Sequence, residues 1–133
     1  AVTTLARFAR DHRQLLVRLV NDAIGGERVA IEFLQGNLPR HIGLLSKTIA
    51  AAQREGLLRP VPPLQAFAFL VGAVAASMLI GSAVAESGLM PPPLGEQFAA
   101  SILTDAAIDE RVDMALAGLA LPLAKKDKSG ARK

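Results

Sequence analysis

The longest apolar segment of the chain covers residues 64–85, LQAFAFLVGAVAASMLIGSAVA, and carries no formal charge. A helix of this composition has no polar face, so lipid or other helices must cover it on every side. Its length and lack of charge meet the criterion for a membrane span. However, half of its residues are Ala, Gly or Ser, which insert into lipid weakly, and no Trp or Tyr exists to anchor it. We therefore expect a helix buried by protein.

Amphipathic periodicity predicts two helices in the first part of the chain. Thr3 or Thr4 can cap the first helix, which continues to Ala23. A second, shorter helix covers residues 27–35, and residues 36–37, Gly-Asn, break the chain after it. We expect the first helix to face the core with an apolar stripe made of Leu5, Phe8, His12, Leu15, Leu16 and Leu19.

Proline and glycine residues mark the boundaries of the next elements. Pro39 stands in the first turn of a third helix, where its missing N–H is tolerated, and Gly56 ends that helix. Residues 57–63, LLRPVPP, form a stiff connector because their prolines restrict the backbone. The apolar helix then runs over residues 63–87, and Gly88 stops it.

Two further helices complete the predicted fold. The first covers residues 96–103. If it continued to Leu121, Asp105 and Asp109 would lie on its apolar stripe, so we expect a break near Asp105. Thr104 or Asp105 can cap the last helix, which turns its apolar side inward. The sequence therefore predicts an all-α bundle of about five to six helices.

Composition and charge favour one helical domain with a basic tail. The chain has 133 residues, 51% of them hydrophobic, and is rich in Ala and Leu. Residues 125–133, KKDKSGARK, hold five basic residues and one acidic residue, so the body has a net charge of −1 within the total of +3. We predict a domain over residues 1–124 and a flexible tail over residues 125–133, rather than a folded basic surface for nucleic acid.

The sequence offers no catalytic or cofactor chemistry. It has no Cys, and its two histidines, His12 and His41, lack carboxylates at metal-ligand spacing. No Gly-rich phosphate loop follows a strand, and no Ser lies in a nucleophile elbow. We therefore predict no enzymatic activity, no cofactor and no metal. The absence of Cys and of a signal-peptide core at the N-terminus fits a cytoplasmic protein.

The apolar helix has sides of different character when drawn as a regular α-helix. Its large residues are Leu64, Phe67, Val71, Val74 and Met78. Its small residues, next to Leu79, are Ala68, Gly72, Ala75, Ala76 and Ala83. Small residues at this spacing let another helix approach closely. We expect the small side to contact a second copy of the chain; the alternative is the core helix of a monomer.

Residues 50–74, AAAQREGLLRPVPPLQAFAFLVGAV, resemble the C-terminal regulatory domain of TetR-type bacterial transcriptional regulators. In that family an Ala-rich helix end leads through Gly, an apolar residue, Arg and a Pro-containing connector into a long apolar helix. The matching positions are Ala52, Gly56, Leu58, Arg59, Pro62 and Pro63. The segments DHRQLLVRLVNDA and IDERVDMALAGLA resemble the preceding and closing helices, so the likeness covers about residues 8–121. The family's N-terminal helix-turn-helix is absent from the sequence.

The resemblance implies a homodimer held by a four-helix bundle, a small hydrophobic effector, and operator DNA bound only through a missing N-terminal domain, with no membrane contact. It also implies a cavity between the earlier helices and the apolar helix, with candidate ligand-binding residues His12, Phe33, Asn37, His41, Phe67, Val71 and Met78. The candidate interface residues are Ala68, Gly72, Ala76, Leu79, Ala83, Val112, Leu116 and Leu119. The alternatives are a dimerisation or scaffold module without a ligand, and a small membrane protein.

Overall fold

The computed structural model describes residues 2–121, and every regular element in that part of the chain is helical, as predicted. The predicted tail, residues 125–133, lies outside the described residues. The elements are α1 (Val2–Asp11), α2 (Arg13–Ile24), α3 (Arg28–Arg54), α4 (Pro63–Leu70), a π-helical segment (Val71–Ala76), α5 (Ser77–Glu86), α6 (Pro92–Ile102) and α7 (Asp105–Leu119).

The helix Pro63–Glu86 is continuous through α4, the π-helical segment and α5, and we call it the central helix. It packs against α1, α2, α3, α6 and α7. Pro63 occupies its first turn, and Gly88, with a φ of 79°, follows its end, as the sequence predicts. The central helix therefore organises the fold.

The core consists of two clusters along the central helix. The larger joins α1, the central helix and α7 through Ala6, Val74, Met78, Ile108, Val112 and Ala115. The smaller joins the end of α3 to the start of the central helix and the end of α7 through Ile49, Ala66 and Leu119. The connector, residues 57–63, lies beside this cluster. It is hydrogen-bonded to α7, since the Arg59 N–H donates to the Leu119 carbonyl at 2.8 Å.

A π-helical segment keeps the buried side of the central helix in line. The buried residues Ala66, Val74, Met78 and Ser82 are separated by multiples of four positions. In a regular α-helix each step of four residues overshoots a full turn by roughly 40°, so such a row would wind around the helix. The wider turns over Val71–Ala76 offset that drift. Ala66 thus joins the smaller core cluster and Val74 and Met78 the larger one, both of which include residues of α7.

The first predicted helix is divided at His12 into α1 and α2. The hydrogen-bond ladder continues, since the His12 N–H donates to the Phe8 carbonyl at 3.0 Å and the Leu16 N–H to the His12 carbonyl at 2.9 Å. However, α1 packs mainly against α7 and the π-helical segment, whereas α2 packs mainly against α5 and α3. His12 itself departs from helical backbone angles, with a φ of −109° and a ψ of 16°, and local periodicity did not reveal this interruption.

The predicted break at residues 36–37 is wrong, because α3 runs unbroken from Arg28 to Arg54 with Pro39 inside it. Pro39 lacks only the N–H that would reach the carbonyl of Gln35, and no other bond of the ladder depends on it. Tertiary contacts hold both ends, since the start of α3 packs on α2 and its end packs on α4. These contacts outweigh the local preference for a break.

We expect Pro39→Ala to stabilise the folded chain by about 1–3 kcal/mol, because it restores one helical hydrogen bond and removes a ring clash. Urea unfolding followed by circular dichroism measures the change. Pro63→Ala is the matched control, since Pro63 lies in the first turn of its helix, where an N–H has no helical partner. A Pro39→Ala protein no more stable than the wild type would contradict a continuous α3.

The predicted break between the last two helices is confirmed at Thr104. This residue caps α7, and its Oγ1 accepts a hydrogen bond from the Ala107 N–H at 3.2 Å. The preceding helix, α6, begins earlier than predicted, at Pro92, because prolines fit the first turn of a helix. Against the central helix, the Phe98 ring of α6 occupies the space that a Cβ at Gly81 would fill.

A charged cluster joins α1 to the start of α7. Both oxygens of Asp109 accept hydrogen bonds from Arg7 Nη2, each at 3.0 Å. Arg10 donates to Asp105 and, at 3.1 Å, to the carbonyl of Leu103. The Arg10 hydrogen bond keeps the pKa of Asp105 below its ordinary value. The two aspartates that the sequence excludes from the apolar stripe thus face the arginines of α1.

This cluster predicts an acid-sensitive contribution to stability. Because the folded-state pKa of Asp105 lies below its ordinary value of 3.8, the ionised carboxylate stabilises the fold above that pH and loses its effect as the pH falls through the folded-state pKa. Asp105→Asn should therefore unfold at lower urea than the wild type at pH 7, and the gap should narrow as the pH falls below 3.8 and close below the folded-state pKa. Glu110→Gln, also exposed on α7, is the control. A gap independent of pH would contradict the assignment.

Candidate functional site

An exposed apolar surface covers one side of the central helix and the adjoining side of α7. We call it the apolar face, made of Ala68, Phe69, Gly72, Ala76, Ile80, Met114, Ala117 and Gly118. Its large side chains are strongly exposed: Phe69 by 46%, Ile80 by 65% and Met114 by 62%. The two helices meet where the Phe69 ring lies beside Gly118, 3.3 Å from the position of a Cβ there. The face therefore spans two neighbouring helices.

Most of the predicted interface residues lie on or beside this apolar face. Ala68, Gly72 and Leu116 are exposed. Ala76, Leu79 and Ala83 are partly buried by the subunit's own helices. Val112 and Leu119 lie inside the subunit instead, one in each core cluster. Both belong to the apolar side that the last helix was predicted to turn inward, so that prediction is confirmed at these positions, and neither residue is exposed for contact with a second copy.

The apolar helix keeps an exposed side within one subunit. By length and composition the central helix, Pro63–Glu86, could cross a membrane, although core helices pass the same test. Within its most apolar window only 17% of the residues are buried. Because a helix without a polar face needs cover on every side, a single subunit leaves that requirement unmet.

The structure does not gather the seven predicted ligand-binding residues into one cavity. Met78 is fully buried in the larger core cluster, and Phe67 packs against the smaller one. The remaining five are exposed: Phe33, Asn37 and His41 on α3, His12 between α1 and α2, and Val71 on the central helix. Phe33, Asn37 and His41 flank the predicted break at residues 36–37, and the continuous α3 removes that break.

His12 and Asn37, two of the predicted ligand-binding residues, each contact the residue four positions earlier in the chain. The His12 ring stacks on Phe8 with 4.2 Å between the ring centroids, and His12 Nδ1 lies 3.0 Å from the Phe8 carbonyl. A smaller hollow of about 350 Å³ lies beside His12. The Asn37 amide donates to the Phe33 carbonyl at 2.8 Å. Neither group is directed toward a common ligand.

A groove of about 630 Å³ lies between α2 and the start of α3. Its apolar lining consists of Leu15, Leu19, Val29, Ala30 and Phe33. Its charged lining consists of Arg18, Asp22 and Glu27. Among the predicted residues only Phe33 belongs to it. The signal for this groove was the Gly25-Gly26 turn, which folds α2 back on α3, with Gly26 at a φ of 89°.

The described part of the chain holds no cluster of three or more His, Cys, Asp or Glu side chains placed to bind a metal ion. The site thus consists of an apolar face on the central helix and α7, and a groove of mixed polarity on α2 and α3. No known protein family, curated protein or solved structure matches this chain. The likeness to TetR-type regulators therefore depends on the residues of the sequence alone.

Proposed function

We propose that this chain is the regulatory domain of a TetR-type bacterial transcriptional regulator, which dimerises through the apolar face and responds to a small effector. DNA binding belongs, in this proposal, to a helix-turn-helix domain that these residues do not contain. The observation that carries the proposal is the apolar face itself. Two adjacent helices with an uncovered apolar surface are what each subunit would contribute to a four-helix bundle.

The chemistry of the apolar face fits a second copy of the same chain. Ala68, Gly72 and Ala76 form a row of small residues that admits a close helix, and Phe69 and Ile80 beside it supply bulk. Around a two-fold axis each row can receive the large side chains of the other subunit. Burying Phe69, Ile80 and Met114 would contribute about 25 cal/mol for each Å² of apolar surface removed from water.

The groove between α2 and α3 favours a ligand-responsive domain over a scaffold without a ligand. Its volume of about 630 Å³ lies within the range of about 300–1,000 Å³ typical of small-molecule sites. Apolar walls with a few charged groups are also the usual composition of such sites. A ligand that prefers one of two dimer geometries would shift the population between them, which is the physical requirement for regulation.

Sedimentation equilibrium of the purified chain without detergent tests the proposal. We expect a monodisperse dimer in aqueous buffer, because the apolar face is then covered by protein. A monomer at micromolar concentration would overturn the proposal, and so would a chain that stays with the lipid fraction. A dimer whose melting temperature no small apolar or amphipathic compound raises would favour the scaffold alternative.

A further inference from the structure

We propose that the groove between α2 and α3 binds an amphipathic organic cation, with its apolar body against Leu15, Val29 and Phe33 and its positive charge near Asp22 and Glu27. The inference deepens the proposed function, on which it rests, because it gives the effector a chemical class. It concerns α2 and α3 and is therefore separate from the apolar face on the central helix and α7.

The turn between α2 and α3 brings two carboxylates to one end of the groove. The Glu27 N–H donates to the Asp22 carbonyl at 2.8 Å, so the two residues are neighbours although five positions separate them. Both residues are exposed and line the groove. Neither belongs to an ion pair within residues 2–121. Their charges are thus available to a ligand.

The electrostatics at that end favour a cation. The C-terminal end of α2 and the N-terminal end of α3 meet at this turn, so their helix dipoles oppose each other and the charged side chains determine the sign. The only basic side chain in the lining is Arg18, one turn earlier on α2. Two carboxylates and one guanidinium leave the lining with a net charge of −1. A positive group at the turn and an apolar body toward Leu15 complement this arrangement.

The walls of the groove supply the apolar half of the site. The side chain of Val29 is 76% exposed and that of Phe33 is 55% exposed, although both lie in a concave surface. Apolar side chains this open gain more from covering than residues already packed in the core. The face of the Phe33 ring also attracts a cation directly through its quadrupole. Concavity and volume suit a small molecule, not an extended macromolecular surface.

Two ions of matching shape and opposite charge test the inference. Isothermal titration calorimetry of the full chain with tetraphenylphosphonium and with tetraphenylborate separates charge from apolarity. We expect the cation to bind at least tenfold more tightly than the anion. The preference should shrink as salt is added, because the charges are exposed to solvent and are screened.

Variants that remove negative charge from the groove and variants that remove positive charge should change the affinity for tetraphenylphosphonium in opposite directions. An exposed charge contributes about two- to fivefold, so Asp22→Asn with Glu27→Gln should weaken tetraphenylphosphonium binding by about five- to tenfold. Arg18→Gln should strengthen it by about two- to threefold. Phe33→Ala should weaken binding of both ions, since it removes apolar wall. Glu110→Gln, an exposed carboxylate on α7, is the matched control and should change neither affinity.

The outcomes distinguish this inference from the proposed function. Equal affinities for the two ions, or a preference for tetraphenylborate that Arg18→Gln removes, would overturn the assignment of a cation. No binding of either ion to a chain that sediments as a dimer would overturn the groove site alone. Cation binding with the expected charge dependence by a monomer would uphold the site and overturn the proposed dimeric regulator.

Discussion

Gly72→Leu should convert the proposed dimer to a monomer while the subunit stays folded. Within the subunit a Cβ at Gly72 meets no atom within 4 Å, so the new side chain projects from the apolar face without disturbing the core. Leu also favours the helix over Gly by about 0.8–1 kcal/mol. At a close contact between helices of two subunits the same side chain would separate the backbones, and overpacking costs about 1–3 kcal/mol at each of the two symmetric positions. Sedimentation equilibrium measures the loss of dimer.

Gly95→Leu is the matched control for this prediction. A Cβ at Gly95 also meets no atom within 4 Å, but Gly95 lies on α6, outside the apolar face. We expect this variant to dimerise as the wild type does and to keep its helical circular dichroism. If Gly72→Leu remained fully dimeric at the same concentration, the small row of the central helix would not be the contact between copies.

Helix ends were predictable where one residue determines the local backbone. Gly56 and Gly88 end their helices with φ values of 77° and 79°, a conformation that glycine adopts without a steric penalty. Thr104 begins α7 because its side-chain oxygen accepts a hydrogen bond from the Ala107 N–H. Such signals need no knowledge of distant contacts, so the sequence alone contains them.

The path of the chain between those ends was less predictable, because it depends on which helices pack together. Pro39 is a local signal for a boundary, yet packing at both ends of α3 carries the helix through it. His12 carries no strong local signal, yet the helix is interrupted there, between a segment that packs mainly on α7 and one that packs mainly on α5 and α3. In both cases tertiary contacts override local preference.

The candidate site also has parts that the sequence could predict and parts that it could not. Ala68 and Gly72 could be assigned to an outer side of the central helix, since composition alone distinguishes that side, and the structure leaves both exposed.

The grouping of Val71 with Met78 assumed a regular α-helix. The π-helical segment changes the angle between them, so Val71 is exposed while Met78 is buried. The groove on α2 and α3 needed the three-dimensional turn at Gly25-Gly26 and was missed except for Phe33.

Met78→Ala should destabilise the folded chain by about 2–5 kcal/mol, because it removes a side chain with 0% exposure and leaves a cavity among α1, the central helix and α7. Urea unfolding at a fixed protein concentration measures the change, since the proposed dimerisation would contribute to apparent stability. Leu44→Ala on α3 is the control: it shortens a 64%-exposed side chain and should change stability by less than about 1 kcal/mol.

Met78→Ala also tests whether Met78 is a core residue or a ligand-binding residue. A side chain that lines an open cavity loses ligand affinity when it is shortened, while the fold is little affected. A fully packed side chain loses stability, and binding in a distant groove keeps its affinity as long as the protein is folded. We therefore expect Met78→Ala to bind tetraphenylphosphonium as the wild type does at a temperature where both are folded, whereas Phe33→Ala does not. If Met78→Ala left stability unchanged but lowered the affinity for tetraphenylphosphonium, Met78 would be a ligand-binding residue after all. The ligand site would then lie against the central helix.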